Sequence, residues 1–294
     1  MKIKISKSQR IFDIFNVLLM ILISIIMIYP IWYVVCASFS NGDLLMAHSG
    51  ILIRSLGFST SAYKEVIKNE AIMNGYLNTI IILVVGVSLN IILTSIGAYV
   101  LSQKNVYWQK LFMKLIVVTM FFSGGLIPTY LLVNKTLGLG DSLLALILPN
   151  AINVYNLIIM RTSFMGIPDS LIESAKLDGA SHVTILSRIV LPLSKAIIAV
   201  MILYYAVGHW NAWFNASIYI RTKSKYPLQL VLREILIQND VNSMSYDAGA
   251  ANAYQIGETL KYAVIVVSTL PILVVYPFLQ KYFTKGVMIG AVKG

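Results

Sequence analysis

Glu173 to Pro192 reads ESAKLDGASHVTILSRIVLP, a polar and semi-polar stretch set between two long apolar runs. Ser170-Leu171-Ile172-Glu173 leads into it with the S-x-x-E spacing of a capping box. In such a box the serine hydroxyl and the glutamate carboxylate satisfy free N–H groups of a first helical turn. A short helix is expected to start there and to end at Gly179, a residue suited to a left-handed C-terminal cap. Ser181 is placed to cap a second helix that continues to about Leu191, where Pro192 blocks it. On the first helix Leu171, Ile172 and Ala175 share one face, Glu173 and Lys176 are spaced to pair at i, i+3, and Leu177 falls on the polar side. Taken alone, such a segment is either a loop helix packed on neighbouring helix ends or a docking part for a partner.

The flanking runs settle what kind of protein carries it. Of 294 residues, 58% are hydrophobic and 12% charged, with a mean hydropathy of +0.78. Soluble chains carry about a quarter charged residues, so this is an integral membrane protein. Six stretches lack Lys, Arg, Asp and Glu: Ile14–Phe39, Leu77–Leu101, Leu115–Asn134, Ser142–Met160, Ala196–Ile220 and Tyr262–Gln280. Each is long enough to cross a hydrocarbon core about 30 Å thick as a helix. The expected fold is therefore all-α and polytopic, one transmembrane domain over residues 1–294 with six transmembrane helices. Gly124-Gly125 with Pro128 interrupts the third span, and Pro149-Asn150 the fourth.

Charge sets the expected orientation. With both termini cytoplasmic, the inner segments hold 14 of the 23 Lys and Arg, and four of the 12 acidic residues. The loop of about 162–195 then lies inside. Five cations, Arg221, Lys223, Lys225, Arg233 and Lys261, run against the trend, but long outer loops translocate largely regardless of charge. The net charge of +11 is spread over every loop, which reads as topology and contact with anionic membrane lipid, not as a nucleic-acid surface. Ile14–Phe39 is longer than the apolar core of a signal peptide, so an uncleaved first span is expected. Cys36 is the single cysteine, which excludes an internal disulfide and a cysteine metal cluster.

Enzyme signatures are missing: no H-E-x-x-H, G-x-S-x-G, C-x-x-C or G-x-x-x-x-G-K-[ST] occurs, and His48, His182 and His209 are far apart. No metal site or directly bound cofactor is expected. Any ATP would be bound and hydrolysed by another chain. A six-span secondary carrier or channel is the alternative, although such proteins normally carry charged or proton-relaying residues within their spans and here His209 alone is ionisable. An intramembrane enzyme would need a catalytic pair at membrane depth, and none is evident.

Glu173-Ser174-Ala175, three residues, Gly179, nine residues and then Ile189-Val190-Leu191-Pro192 resembles the EAA loop, E-A-A-x3-G-x9-I-x-L-P, of the membrane subunits of binding-protein-dependent ABC importers. The similarity extends to IPTYLLVNKTLGLGDSLLALILPNAINVYNLIIMRTSFMGIPDSLIESAKLDGA, HWNAWFN and KGVMIGAVKG, and points to the carbohydrate-uptake branch, similar to the smaller maltose permease and the LplC-like polysaccharide permeases. That resemblance implies the type I permease fold and alternating access for a carbohydrate. It makes Glu173, Ser174, Ala175, Asp178, Gly179, Ile189, Leu191 and Pro192 candidate ATPase-coupling residues. Ser174 departs from the family's alanine but is small enough for the same close packing. The implied partners are ABC ATPase subunits holding ATP and Mg, a second permease in a heterodimer, and an extracellular solute-binding protein, in a bacterial cell membrane. The resemblance also lets Lys285–Gly294 touch the ATPase and the segment from Arg221 to Lys261 face the binding protein.

Substrate contacts are less sharply marked. Asn150, Asn153 and Asn156 recur at i, i+3 and i+6 and would line one side of the fourth span, either bonding another helix or meeting sugar hydroxyls. Trp210, Trp213 and Phe214, with Tyr204 and Tyr205, would either stack on sugar rings or form an aromatic belt at the outer interface.

Overall fold

The computed structural model describes residues 7–238, 258–275 and 277, and every regular element among them is helical. They fall into two compact units, one from residues 1–69 and 234–269, the other from 70–233 and 270–294. In the first, α1 (Lys7–Ser38) runs 32 residues, about 48 Å at the usual helical rise. Its side chains are apolar on all sides and exposed almost throughout, with Cys36, Ala37 and Ser38 buried at its end. That is a surface for lipid. The following loop is tied back to it: Trp32 Nε1 donates to Ile53 O (2.7 Å) and Leu52 N to the Tyr29 hydroxyl (3.1 Å). Two short helices, α2 (Gly42–Ala47, capped by Asn41) and α3 (Ser61–Lys68), complete this region.

The second unit is built on α4 (Glu70–Ser102), 33 residues long. After it come α5 (Gln109–Phe121), α6 (Leu126–Leu131), α7 (Leu144–Ile147), α8 (Val154–Phe164), α9 (Asp169–Leu177), α10 (His182–Ile185), α11 (Leu191–Leu193), α12 (Lys195–Trp210) and α13 (Phe214–Tyr219). The last described helices are α14 (Leu228–Gln238) and α15 (Glu258–Val275). α4 buries a strip that includes Gly75, Asn78, Thr79, Ile82, Gly86, Asn90, Thr94 and Ala98, mostly three or four residues apart and therefore on one face. α8 and α12 pack on it, and Tyr99, Leu157, Met160, Phe164 and Met201 form the core between them. Small residues let the helices approach closely, as membrane packing requires. At Gly86 a Cβ would stand 2.7 Å from His209 Nε2, so any side chain there would push α12 away.

α1, α4 and α15 are long and apolar enough to cross a membrane, and three bent helix pairs bring the number to as many as six. Three expected spans need correction. The third, 115–134, is bent by 108° between α5 and the stretch of α6 that ends in a π turn (Leu132–Thr136), because Gly125 adopts φ +83° and Pro128 follows. The fourth, 142–160, becomes α7 with a 3-10 turn at Leu148–Asn150, then α8 at 52°. Pro149 has no N–H to continue a helix there. The fifth, 196–220, stops at Trp210, where Asn211 closes on Val207 O at ψ 0°, and α13 is separate. For the sixth, helix is described from Glu258 to Val275, and 276 and 278–280 lie outside the described residues.

The break between α7 and α8 leaves backbone groups that a membrane interior cannot hydrate. Asn90 Nδ2 of α4 donates to Asn150 O (3.0 Å) and Ala151 O (2.8 Å). Asn90 Oδ1 accepts from His209 Nε2 at 2.7 Å, which places the imidazole proton on that nitrogen. The Asn153 N–H donates to the Tyr205 hydroxyl (3.1 Å), leaving that hydroxyl to donate to Thr94 Oγ1 (2.7 Å). Asn90→Leu strands two carbonyls and the His209 N–H, so it should destabilise the protein by about 2 kcal/mol or more. Thermal unfolding in detergent should show a clear drop in Tm for this variant and a smaller one for Tyr205→Phe, which strands one N–H.

Candidate coupling loop and substrate pathway

The chain reaches the polar loop from α8, whose Arg161 turns back to donate from Nε to Leu101 O at the end of α4 (2.8 Å). Gln109 Nε2 donates to the same carbonyl (2.6 Å), so a free end of α4 is closed by two side chains. α9 starts at Asp169 with Pro168 at its N-cap and no side-chain cap. The capping box expected from Ser170 and Glu173 is not formed, because the helix begins at Asp169, two residues earlier than that box requires, and Ser170 lies within the first turn instead of at the N-cap. Asp169 in that first turn accepts from Lys104 Nζ at 2.6 Å. The hydrogen bond and charge of Asp169 push the lysine's pKa up. Both groups are largely exposed, so the pair contributes little stability. Glu173 and Lys176 do not pair.

The C-terminus of α9 is a Schellman turn. Gly179, at φ +76°, donates to Lys176 O (3.0 Å) and Ala180 N donates to Ala175 O (2.9 Å). No atom lies within 4 Å of where a Gly179 Cβ would be, so only backbone conformation demands glycine there. Ser181 then caps α10 through Thr184 N (3.2 Å), as expected from its position. His182 Nδ1 meets the Tyr99 hydroxyl (3.0 Å), holding α10 to α4. Between α10 and α11 a π turn, Leu186–Val190, puts Leu191 N on Leu186 O. Pro192 lies within the final turn and does not stop it at Leu191; the chain leaves the helix at Ser194 and bends 86° into α12.

The motif residues divide by exposure. Glu173, Ser174, Asp178, Gly179 and Pro192 are exposed, Ile189 is half-buried, and Leu191 packs on the core. Ala175, one of the candidate coupling residues, packs with Ile172 on the core of its own chain, since both lie on the inward face of α9. Outward stand two apolar side chains, Leu177 (90% exposed) and Val183 (76% exposed).

The pathway candidates separate too. Asn150, Asn153 and Asn156 do not share a helix face: Asn150 is in the 3-10 turn, Asn153 is the N-cap of α8, and Asn156, on its first turn, donates its N–H to Asn153 Oδ1 (3.1 Å). Asn153 and Asn156 do meet Trp210 in a cleft of about 800 Å³, with Tyr155, Tyr204 and the α15 residues Pro271 and Ile272 on its walls. Tyr205 does not line this cleft and is spent on Thr94 and Asn153. Trp213 is also elsewhere, its ring under the Arg233 guanidinium at 4.3 Å. The segment Lys285–Gly294 and residues 239–257 lie outside the described residues.

Sequence reasoning missed a polar knot at Asp141. Its Oδ1 accepts from Arg221 N and Thr222 N (2.9 Å each), and its Oδ2 from the Thr222 hydroxyl (2.7 Å) and Lys225 Nζ (2.9 Å). The signal was a lone aspartate after Gly138 and Gly140, itself at φ +56°.

No protein-family model matches the chain. It is 44% identical over 289 residues to Protein LplC of Bacillus subtilis (strain 168), covering 98% of this chain and 97% of that one. It is 42% identical over 291 residues to the Polygalacturonan/rhamnogalacturonan transport system permease protein YtcP of the same organism, covering 97% and 99%. The chain belongs to the carbohydrate-uptake family of ABC importer permeases. A solved structure of a bacterial ABC transporter involved in the import of the acidic polysaccharide alginate matches the permease with a TM-score of 0.89 and 35% identity, over 95% of this chain and 98% of that one. The permease is thus a multi-pass membrane protein of the type I importer fold, and its EAA pattern is the polar loop just described.

The Thr222 N–H and hydroxyl, the Lys225 ammonium and the Arg221 N–H together hold the Asp141 carboxyl well below the usual carboxylate range. A carboxyl lowered in the folded permease stabilises it above the ordinary value of about 4 and loses that contribution as pH falls below it. Asp141→Asn should therefore lower the Tm at neutral pH, with the gap to wild type closing as the pH is taken toward about 3 in detergent melts.

Proposed function

We propose that the permease passes an oligosaccharide or polysaccharide fragment inward by alternating access, driven by ATP hydrolysis on separate ABC ATPase subunits that carry the ATP and Mg. The observation that carries this reading is the exposed α9–α10 corner. A Schellman turn fixes the angle between two short helices, and Leu177 and Val183 project from it beside Glu173 and Asp178. An apolar pair rimmed by carboxylates suits a cleft with an apolar floor and basic edge. The corner continues through α11 directly to α12, so a push on it moves a membrane helix rather than a slack loop. Both termini and the 162–195 loop are cytoplasmic in this reading, which follows the distribution of Lys and Arg.

The full assembly holds a second, non-identical permease and an extracellular solute-binding protein, with residues 1–294 acting as one permease domain. The relatives' transport systems support a carbohydrate as cargo. Asn153, Asn156 and Trp210 are the pathway residues this geometry favours, since they share a cleft of about 800 Å³.

Pull-down of tagged permease from its native membranes tests the coupling. Wild type should bring down an ATPase and a second permease. Gly179→Asp, which forces a side chain into a left-handed backbone at a cost of about 1 kcal/mol and adds a charge, should lose the ATPase. Leu177→Asp should lose it while leaving the turn intact. If wild type retains no ATPase, the coupling reading of the α9–α10 corner fails.

A further inference from the structure

Asp141 borders a second, smaller cleft. Tyr130, Asn134, Lys135, Gly140, Asp141 and Arg221 enclose about 310 Å³, within the range of small-molecule sites. Its walls are held in place. The Tyr130 ring lies parallel to that of buried Tyr219, 8° apart with centroids at 6.0 Å. The Asn134 amide lies over Gly140, where a Cβ would collide with its oxygen. The backbone at Arg221 is pinned by Asp141.

Charge in the cleft is unbalanced. The Asp141 carboxylate is consumed by two backbone N–H groups, a hydroxyl and Lys225. Among the described residues, the side chains of Lys135 and Arg221 make no ion pair. A fixed aromatic ring, an amide and two uncommitted cations are complementary to one kind of ligand. A sugar ring lays its C–H face on the aromatic surface, its hydroxyls meet the amide, and a carboxylate on the ring meets the Arg fork and the Lys ammonium.

We propose that this cleft binds a uronate, a sugar unit carrying a carboxylate, at the outer entrance of the permease. The site is outer because it lies at the ends of the third, fourth and fifth spans opposite the coupling loop, so the proposal rests on the orientation and carbohydrate cargo given above. It selects for acidic over neutral saccharides before the main cleft is reached. Asp141 serves as a positioning residue that holds Arg221 by its backbone.

The test uses the complete importer, with its partner permease and ATPase subunits but without the solute-binding protein, in nanodiscs. Calorimetric titration with trigalacturonate should show binding, and galactotriose should bind at least about tenfold more weakly, the effect of losing one charge-assisted contact. Arg221→Gln with Lys135→Gln should remove that preference, and so should raising the salt from about 0.1 to about 1 M. Tyr130→Ala should weaken both sugars. Absence of trigalacturonate binding, equal binding of the two trisaccharides, or a preference unchanged in the double variant overturns the site. If, with the solute-binding protein then added back, the double variant weakens only capture of that protein, the cations serve it and the proposal also falls. The ATPase pull-down stands independently of these readouts, so an importer that keeps its ATPase yet ignores trigalacturonate loses this site and not its function.

Discussion

A helix broken inside a membrane must find partners for the peptide groups it frees, and that requirement organises the second unit. Asn90 is the residue that meets it, with one amide serving two carbonyls and an imidazole. Gly86, one turn earlier on the same helix, clears the space that His209 occupies. Thr94, one turn later, carries the hydroxyl that aligns Tyr205 under the start of α8. Three successive turns of α4 thus hold both neighbouring helices by hydrogen bonds and by close approach. The cleft lined by Asn153, Asn156 and Trp210 exists because α8 is restarted at an angle there and not continued from α7.

The corner between α9 and α10 rests on a related economy of backbone. Its shape is set by two hydrogen bonds and one left-handed glycine, while its footing is apolar: Ile172 and Ala175 below α9, Ile185 and Val190 below α10. Leu177 and Val183 stand outward from that footing. Within the motif Gly179 is exposed and yet shapes the corner through its left-handed backbone, so exposure alone does not tell the residues that form the turn from those that only face outward.

Much of this was legible in the sequence, and the reason is that lipid leaves few options. Uncharged runs marked the spans, and Gly179 and Ser181 marked their turn and cap because few other residues suit those positions. The capping box failed because Pro168 already set the first turn, a local competition that spacing alone does not reveal. The three asparagines were read on one helix face from their i, i+3, i+6 spacing, which holds only where the helix is continuous, and the chain breaks between Asn150 and Asn153. Tyr205 and Asp141 depend on residues 111 and 81 positions away, on Thr94 and Thr222, and no local pattern encodes such pairings.

The polar knot at Asn90 is built from amides, hydroxyls and one imidazole, with no carboxylate, ammonium or guanidinium among its partners. Moving one elementary charge through the membrane potential involves about 2.3 kcal/mol per 100 mV. Helices joined by neutral groups do no electrical work when they tilt past one another. Where α4, α8 and α12 meet, the membrane field therefore finds no carboxylate, ammonium or guanidinium to pull on, and the joint rests on hydrogen bonds that the potential leaves alone.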